Sequence, residues 1–376
     1  MTHRQKKLCT LLTLIGILLL SGCSAKKAAT FHPAEGSAVA TLCAVGDIMI
    51  SPQQLEAAAQ PDGSYSFTDG YLGAAELLAD ADLTVGNLEG TLNGAPYDSY
   101  NYPDALAACL SGLGFDVLQT ANSRSIQNGI AGLTRTKEQL EAVGIDALGT
   151  FASEAQWQET GGVLIREVNG IRIALIGMTK GLNNMRLPEN AGHCVNLLYT
   201  DYDSNYSSID TDAITRLTKN AEAENPDITI AMVHWGSENE RTISESQKQI
   251  ASLLIDGGVD VILGSHSHLV GPIEQRTVRG RPVVIAYGLG DFSGSAEDRE
   301  AIALRLAITK DSKTGETRVT EVSYTPLYVT QSRVYDIETA LSLYESNYID
   351  AISEEQQKVF TAALERLKEQ TAPPES

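Results

Sequence analysis

The feature that most constrains the fold is a series of short apolar runs, each ending in a polar or glycine-rich tip. Six such runs span residues 38–47, 81–90, 115–123, 227–236, 259–268 and 282–292. Strands that are apolar on both faces are typical of sheets covered on both sides by other layers. Helical segments separate many of these runs, so the pattern predicts an α/β fold with buried, mainly parallel strands.

The clearest helix-to-strand unit lies at residues 244–263. Ser244 and Gln247 have the spacing of a capping box, and apolar residues follow on one face of the predicted helix. The pair Gly257-Gly258 ends that helix, and a β-branched run starts at the next residue. This order predicts a helix that packs on a sheet and returns directly into a strand.

Two turns and a tail complete the predicted architecture. Asn169-Gly170 within residues 163–176 is a strong hairpin signal, and Thr314-Gly315 indicates a second pair of strands within residues 303–328. Residues 336–370 are charged and helical in pattern. We therefore predict one main domain at residues 38–330 and a C-terminal helical tail at residues 331–376.

The N-terminus has the pattern of an export signal. Three basic residues precede an apolar run of about 13 residues, which is shorter than the roughly 20 that a membrane-spanning helix needs. The ending Leu20-Ser21-Gly22-Cys23 resembles a bacterial lipobox, which implies cleavage before Cys23 and a lipid on its sulfur. The alternatives are an uncleaved anchor or an ordinary signal peptide. We expect residues 1–22 to be the signal and residues 23–37 to be a flexible tether.

The charge of the chain argues against nucleic acid as a partner. Without residues 1–22 the chain has 25 basic and 48 acidic residues, a net charge of −23. Such a surface repels polyanions at long range, so any anionic partner must be recognised locally. The simpler interpretation of the charge is solubility outside the cell.

Three cysteines remain when Cys23 carries lipid and residues 1–22 are removed. Because three is an odd number, a complete disulfide framework is excluded. Cys43 is predicted to lie in a buried strand. A bridge between Cys109 and Cys194 stays possible from the sequence.

Side chains able to bind metal stand at five of the predicted strand ends. In open α/β sheets, ligands bind beyond the carboxyl ends of the strands. Carboxylate, amide and imidazole groups together suit borderline divalent ions such as Zn, Mn or Fe. The candidates are Asp47, Glu89, Asn122, His234, His266 and His268.

His266 and His268 form the sharpest local signal, and they allow two geometries. In an extended segment, the two side chains would point the same way. If the loop curls, they would reach two different ions. Of the six histidines, these two and His234 all fall on predicted strand ends.

An ordered set of motifs resembles the CapA-like capsule-synthesis and poly-γ-glutamate proteins, which are relatives of calcineurin-type metallophosphoesterases. The resemblance covers roughly residues 39–293 and is carried by Gly46-Asp47, Gly86-Asn87-Leu88-Glu89, Ala121-Asn122, His234-Trp235-Gly236, Gly264-Ser265-His266-Ser267-His268 and Tyr287-Gly288-Leu289-Gly290-Asp291-Phe292. It implies a four-layer αββα sandwich with a C-terminal helical extension.

The resemblance also implies a site for two divalent metal ions. Asp47 and Glu89 match the carboxylates that hold and bridge the ions, and Asn122 and His234 match ligands of the second ion. His266 and His268 match the paired histidines that close the site. Asn87 and Asp291 are expected beside these ligands.

The third motif departs from the family pattern, which usually has Ala-Asn-Asn-His followed by Asp and Gly. Here Arg124 replaces the histidine that protonates a leaving group, and Gln127 replaces the aspartate that orients it. Arginine stays protonated and cannot act as a general acid, but it binds anions well. We expect Arg124 to contact an anionic group, the alternative being a surface residue on a reshaped loop. Asp291 also departs, because the family commonly has asparagine there.

Three functions follow, in order of preference. The first is a membrane-anchored, extracytoplasmic protein that takes part in the synthesis, export or anchoring of capsule, poly-γ-glutamate or another anionic envelope polymer. Its expected partners are the polymer or its synthesis and export machinery. The second is an active metal-dependent hydrolase of such a polymer, acting on phosphoester or amide bonds. The third is a metal-free solute-binding lipoprotein.

Overall fold

The computed structural model describes residues 35–294, 297–348 and 352–373. The predicted signal at residues 1–22, Cys23 and most of the predicted tether lie outside the described residues. Within the described residues, none of the helices has the length and apolar character needed to cross a bilayer.

The first sheet has eight strands, and β1 lies near its centre. Its strands are β1 (Ala38–Ile48), β2 (Leu83–Leu88), β3 (Val117–Gln119), β4 (Asp146–Leu148), β11 (Asp291–Ser293), β12 (Arg299–Lys310), β13 (Thr317–Val329) and β14 (Val334–Asp336). Their order is β14-β13-β12-β1-β2-β3-β4, and β11 pairs with β1 outside this path. Strands β1 to β4 are parallel, whereas β12 to β14 pair antiparallel.

The second sheet has six strands and faces the first. Its strands are β5 (Val163–Val168), β6 (Ile171–Thr179), β7 (Ile228–His234), β8 (Val261–Ser265), β9 (Ile273–Val278) and β10 (Arg281–Ala286). Their order is β5-β6-β7-β8-β10-β9, with β6, β7, β8 and β10 parallel. The carboxyl ends of four neighbouring strands therefore meet at one edge.

The described residues contain ten helices, most of which follow or precede a strand. They are α1 (Pro52–Ala58), α2 (Thr68–Tyr71), α3 (Ala75–Ala79), α4 (Ala105–Gly112), α5 (Gly129–Ala142), α6 (Glu154–Thr160), α7 (Thr211–Ala223), α8 (Glu245–Asp256), α9 (Ile337–Glu345) and α10 (Glu354–Gln370). The predicted capping box starts α8, since the Ser244 hydroxyl accepts from the Gln247 N–H and the Gln247 side chain accepts from the Ser244 N–H.

Strand β1 shows why the first sheet is covered on both sides. Its alternate residues Leu42 and Ala44 pack between the two sheets, while Cys43 and Val45 pack toward the helices outside the first sheet. A similar core lies between the second sheet and helices α7 and α8. Burying one large aliphatic side chain contributes about 1.5–3 kcal/mol, so the three cores together hold the layers in place. The predicted four-layer α/β sandwich is confirmed.

The predicted hairpin joins β5 to β6. Asn169 and Gly170 both have positive φ, 51° and 80°, as a two-residue type I′ turn requires. Strands β12 and β13 flank Thr314-Gly315, so the second predicted strand pair is also present.

Residues 282–292 do not form one strand, which corrects the sequence interpretation of that run. Strand β10 ends at Ala286 in the second sheet, and the chain then crosses to the first sheet, where Asp291 pairs with Asp47 on β1. Gly290 has φ 77°, and a Cβ on Gly46 would lie 1.8 Å from the Gly290 carbonyl oxygen. Glycines at both positions allow the two backbones to approach this closely.

The region after residue 330 contributes to the core. Strand β14 extends the first sheet, and Phe360 of α10 contacts Tyr328 of β13 with ring centroids 5.0 Å apart. Ala363 and Leu367 of the same helix are fully buried. The C-terminal helices therefore pack against the sheets, and a short strand precedes them.

The three described cysteines are free thiols. Cys43 is buried in β1, as the sequence predicts. Cys109 and Cys194 are not bridged, which removes the possible disulfide between them.

Candidate metal centre

Six predicted ligands come together where the carboxyl ends of the two sheets face each other. Asp47, Glu89 and Asn122 lie at or just beyond the ends of β1, β2 and β3 in the first sheet. His234 ends β7, and His266 follows β8 in the second sheet. Each sheet alone supplies only part of the set, so the site depends on the packing of one sheet against the other.

The first candidate ligand group consists of Glu89, His234 and His266, hereafter cluster 1. One potential ligand atom from each residue lies within 4.8 Å of the others, and all three residues are buried. Glu89 Oε1 is 3.8 Å from His234 Nε2. Glu89 Oε2 is buried and has no hydrogen-bond partner among the described residues. An unsatisfied buried carboxylate oxygen is costly, and a cation would satisfy it.

The second candidate group consists of Asp47, His268 and Asp291, hereafter cluster 2, which meets the same 4.8 Å criterion. His268 Nδ1 lies 2.8 Å from Asp291 Oδ1 and 3.5 Å from Asp47 Oδ2. Asp291 was expected beside the ligands, but its carboxylate is placed as closely as that of a ligand. The crossing from β10 to β11 positions it there.

The loop that carries His266 and His268 is curled. Their φ angles are 91° and 59°, in the left-handed region that non-glycine residues rarely adopt. Because of this curl, the His266 ring lies in cluster 1 and the His268 ring in cluster 2, with their centroids 6.3 Å apart. Of the two geometries that the sequence allowed, the structure has the curled one, with one histidine in each candidate group. Backbone strain of this kind concentrates at functional sites.

Asn87 and Asn122 form a hydrogen-bonded support behind the clusters. Asn87 Nδ2 donates to Asp47 Oδ1 at 2.6 Å, and Asn122 Nδ2 donates to Asn87 Oδ1 at 3.0 Å and to the Leu88 carbonyl at 2.7 Å. Asn122 Oδ1 accepts from the Arg124 N–H at 3.0 Å. Both ends of the Asn122 amide are thus engaged with protein groups, and its role as a ligand stays a prediction.

Two serines that the sequence did not single out also contact the histidines. Ser123 Oγ lies 3.0 Å from His234 Nε2 and 3.5 Å from His266 Nδ1, so it faces cluster 1. Ser265 Oγ lies 3.0 Å from His234 Nδ1 and fixes that ring from its other side. Ser123 lies between Asn122 and Arg124 in the third motif, which departs from the family pattern. That departure is the sequence signal that could have indicated Ser123.

Burial dominates the electrostatics of cluster 1 and of Asp47. It raises the pKa of Glu89 to about 8 and the pKa of Asp47 to about 6, with the neighbouring carboxylates adding to both shifts. Burial and nearby cations lower the pKa of His266 to about 3 and that of His234 well below its usual value. Neutral imidazoles are the form that binds metal.

His268 behaves differently from the other two histidines. Burial opposes its charged form, but the hydrogen bond that His268 donates to Asp291 and the charges of Asp291, Asp47 and Glu89 outweigh burial and raise its pKa to about 10. Without an ion, cluster 2 is therefore a buried pairing of an imidazolium with carboxylates.

Two arginines lie near the candidate ligands. The guanidinium of Arg124 lies 3.5 Å above the ring centre of Tyr100, and its Nη1 donates to Gln127 Oε1 at 3.4 Å. Arg299 lines the cleft beside cluster 2, donates to the His268 carbonyl at 3.3 Å and lies 3.9 Å from Asp291 Oδ2. The cleft has a volume of about 400 Å³ and is lined in part by Tyr100, His268, Asp291 and Arg299.

The donor set fits divalent metal ions. Each cluster combines carboxylate and imidazole, which suits Zn, Mn or Fe. Glu89 Oε2 is a buried acceptor without a hydrogen-bond partner among the described residues. Cluster 1 offers two neutral imidazoles and one carboxylate, and cluster 2 offers two carboxylates and one imidazole.

Comparison with solved structures supports the fold assignment. A protein described as a 5′-nucleotidase from Staphylococcus aureus, solved with α-ketoglutarate, superimposes with a TM-score of 0.51 at 13% identity. The match covers 87% of this chain and 58% of that one. At this identity the likeness concerns the fold alone.

Comparison of sequences identifies the family. The PGA biosynthesis protein CapA of Bacillus subtilis is 26% identical over 74% of this chain and 70% of its own length. The capsule biosynthesis protein CapA of Bacillus anthracis is 23% identical over 75% of this chain and 66% of its own length. The family model for the bacterial capsule synthesis protein PGA_cap matches residues 41–295. The chain therefore belongs to the PGA_cap family of bacterial capsule synthesis proteins, as its motifs predicted.

Proposed function

We propose that this protein uses a pair of divalent metal ions to hold an anionic group of an envelope polymer during its synthesis, export or anchoring. The relatives named for PGA and capsule biosynthesis support poly-γ-glutamate or a similar capsule polymer as the partner. We also propose that a lipid on Cys23 anchors the protein at the extracytoplasmic face of the cell membrane.

The observation that carries the proposal is the side-by-side placement of clusters 1 and 2. Ligand-type atoms from both sheets come within 4.8 Å of one another twice, using Glu89 and Asp47 as the central carboxylates. Such convergence of buried acids is unfavourable unless cations compensate it. The unsatisfied Glu89 Oε2 argues against the alternative of a metal-free solute-binding protein.

Bound ions would polarise and position an anionic oxygen of the polymer. Glu89, His234 and His266 would hold one ion, and Asp47, His268 and Asp291 the other. Ser123 and Ser265 orient His234, and Asn87 orients the Asp47 carboxylate. Arg124 adds a positive charge that opposes the effect of burial on the pKa of Glu89 and adds to the lowering of the pKa values of His234 and His266 by burial.

Arg124 favours binding over rapid hydrolysis. It is held by stacking on Tyr100 and by Gln127, so a group that cannot give up a proton stands where the family has a histidine. Efficient cleavage of an ester or amide needs a general acid with a pKa near the working pH. Hydrolysis remains the second candidate, because two metal ions alone can activate water.

Metal analysis and turnover separate these functions. Purified protein should contain divalent transition metal, and removing the metal should abolish polymer binding. Turnover should be tested on phosphomonoester, phosphodiester and γ-glutamyl substrates. Turnover at a typical enzyme rate that survives Arg124→Ala would contradict a binding role and favour the hydrolase.

A double variant tests the role of the third motif. Arg124→His with Gln127→Asp restores the residue types of the family pattern, and it should create or raise hydrolysis while leaving metal content unchanged. Arg124→His alone should be weaker, because no carboxylate would orient the imidazole. Absence of any gain in the double variant would show that the missing acid is not what limits turnover.

A further inference from the structure

A second concave surface next to the cleft has a charge opposite to that of the chain. This cavity, hereafter the basic groove, has a volume of about 690 Å³ and is lined in part by Arg241, Lys248, Arg276, Glu274 and Tyr287. Among the described residues that line it, three are basic and one is acidic. The whole chain has 28 basic and 48 acidic residues, so this local excess is unusual for the molecule.

The loop after β7 connects the basic groove to the metal centre. This loop starts at His234 of cluster 1, reaches Asn239 in the wall of the cleft, and continues to Arg241 in the groove. Asn239 and Arg241 are two residues apart, a span of at most about 7 Å, so this loop supplies wall residues to both cavities.

A second connection runs through the end of β10. Tyr287 lines the groove, and its ring stacks on Trp235 with centroids 5.7 Å apart. Trp235 directly follows His234, and its Nε1 donates to the Tyr287 carbonyl at 3.1 Å. Four residues after Tyr287 the chain supplies Asp291 to cluster 2. The groove wall is therefore built on the segments that place the metal ligands.

We propose that the basic groove binds a carboxylate-bearing stretch of the anionic polymer and leads it to the metal cleft. This inference rests on the proposed function, because it assigns the groove to the same polymer. The ligand class is a flexible polycarboxylate chain, several residues of which lie outside the metal centre. In the wall of the cleft, Arg299 donates to Asn239 Oδ1 at 3.3 Å, two residues along the loop from Arg241 of the groove.

The groove cations are available to such a ligand. Arg241 is exposed, and the side chains of Lys248 and Arg276 are 56% and 38% exposed. Lys248 and Arg276 each pair with a nearby glutamate, at 2.7 and 3.1 Å, but exposed pairs of this kind are weak and exchange readily with other carboxylates. The guanidinium groups can each hold a carboxylate through two hydrogen bonds.

Screening makes local binding compatible with the overall negative charge. At physiological salt, charges farther than about 8 Å contribute little, so a polymer inside the groove experiences mainly the groove cations. An anionic membrane surface is the competing occupant. The concave shape of the groove and the loop that supplies residues to both the groove and the metal cleft favour a chain-like ligand over a flat bilayer.

A charge-neutralising variant of the full-length protein in detergent tests the assignment. The groove variant Arg241→Gln/Lys248→Gln/Arg276→Gln is compared with the control Lys313→Gln/Arg333→Gln/Lys358→Gln, which removes the same charge from exposed positions elsewhere. Binding of fluorescent poly-γ-glutamate of defined length is followed by anisotropy at several salt concentrations. We expect the groove variant to bind about tenfold more weakly and with a smaller salt dependence, and the control to bind like the parent protein. Equal binding by the two variants would overturn the proposal.

Two further measurements keep this result separate from the metal centre and from the membrane. Metal content should be the same in the groove variant and the parent, so that failure of the groove assignment and absence of a metal site are independent outcomes. Glycerol phosphate, the headgroup of phosphatidylglycerol, should displace the labelled polymer equally weakly from the groove variant, the control and the parent protein. Strong displacement from the parent and the control but not from the groove variant would assign the groove to the membrane surface and overturn the proposal.

Discussion

The two ends of the sheets use acidic residues in opposite ways. At the amino ends, four aspartates each stand just before a strand, and each accepts the backbone N–H of a residue on the neighbouring strand at 2.8 Å. The pairs are Asp82 with Thr41, Asp116 with Thr84, Asp227 with Arg172, and Asp260 with Thr229. At the carboxyl ends, Asp47, Glu89 and Asp291 face one another and three histidines. At the amino ends the acids are satisfied by backbone groups, whereas at the carboxyl ends Glu89 Oε2 has no hydrogen-bond partner among the described residues.

The acids at the amino ends of the strands therefore serve stability, and the acids at the carboxyl ends belong to the candidate site. The aspartates at the amino ends also donate their own N–H back to the paired residue, for example from Asp260 to the Thr229 carbonyl at 2.9 Å. Some are further neutralised, as Asp227 is by Lys310 at 2.7 Å. Glu89 has no such compensation, and its Oε2 has no partner among the described residues. Substitutions at the carboxyl ends should therefore mainly lower metal affinity, and substitutions at the amino ends should mainly lower the free energy of unfolding.

The largest effect is expected from Glu89→Gln on metal affinity. This change keeps the shape of the side chain but removes the central charge of cluster 1, and it should weaken binding of Mn²⁺ or Zn²⁺ by at least about 100-fold. The affinity can be measured by competition with a chelating dye. Asp260→Asn, at the amino end, serves as the control and should leave the metal affinity unchanged. Equal losses in both variants would contradict the separation.

The next effect concerns stability at the amino end. Asp260→Ala removes the acceptor for the Thr229 N–H and the partner of Arg281, and it should lower the free energy of unfolding by about 2 kcal/mol. Urea unfolding of the metal-free protein measures this change. Asp256→Ala removes an exposed pair with Arg279 and should stay within about 0.5 kcal/mol of the parent. A similar loss in both variants would show that the hydrogen bond from the Thr229 N–H to Asp260 does not account for the loss of stability.

The pH dependence of the metal-free protein should come from the carboxyl end. The folded pKa values of Glu89, about 8, and His268, about 10, both exceed the usual values of 4.5 and 6.5. The folded state therefore holds these protons more tightly, and stability present at low pH is lost as the pH rises through the folded pKa values. His234 and His266 have lowered pKa values and titrate below pH 6.5.

Between pH 6.5 and 8 the free energy of unfolding should thus fall with rising pH, by up to about 1.4 kcal/mol per pH unit for each group. Glu89→Gln should flatten this dependence, and saturating metal should remove most of it. The measurement is urea unfolding at a series of pH values. Burial also raises the pKa values of Asp116 and Asp260 at the amino end, so the contribution of Glu89 is read from the difference between the parent and Glu89→Gln. An unchanged slope in Glu89→Gln would contradict this account.

The smallest effect is expected from Ser123→Ala. The hydroxyl lies 3.0 Å from His234 Nε2 and is neutral, so its loss should weaken metal binding less than tenfold, or below about 1.4 kcal/mol. Ser123→Asn restores the residue type of the family motif and supplies an amide oxygen that reaches one atom farther than the hydroxyl, so it should restore or exceed the parent affinity. A loss as large as that of Glu89→Gln would mean that Ser123 is itself a main ligand.

The sequence predicted those parts of the molecule whose signals are local. Apolar runs with polar tips gave the strand positions, Asn169-Gly170 gave a hairpin, and Ser244 with Gln247 gave the start of a helix, because turns and caps depend on neighbouring residues. The six proposed ligands were all at strand ends, where parallel strands bring distant residues together.

The parts that escaped prediction depend on contacts between distant segments. The run ending at Asp291 looks like a continuation of β10, and only the packing of the two sheets shows that it crosses to pair with Asp47. Ser123 carries no metal-binding signal of its own, and its contact with His234 joins residues 111 positions apart. The roles of the aspartates that precede the strands were not predicted either, because their hydrogen-bond partners lie on neighbouring strands.

The most direct test of the central claim is a count of divalent ions bound per chain. Full-length protein is dialysed against Mn²⁺ or Zn²⁺ and analysed by inductively coupled plasma mass spectrometry beside the His266→Ala/His268→Ala double variant, which loses one imidazole from each cluster. We predict about two ions per chain in the parent and a small fraction of that in the variant. A folded parent protein that binds no divalent ion, or binds equally with and without the two histidines, would contradict the claim that the two sheets meet to form a metal centre.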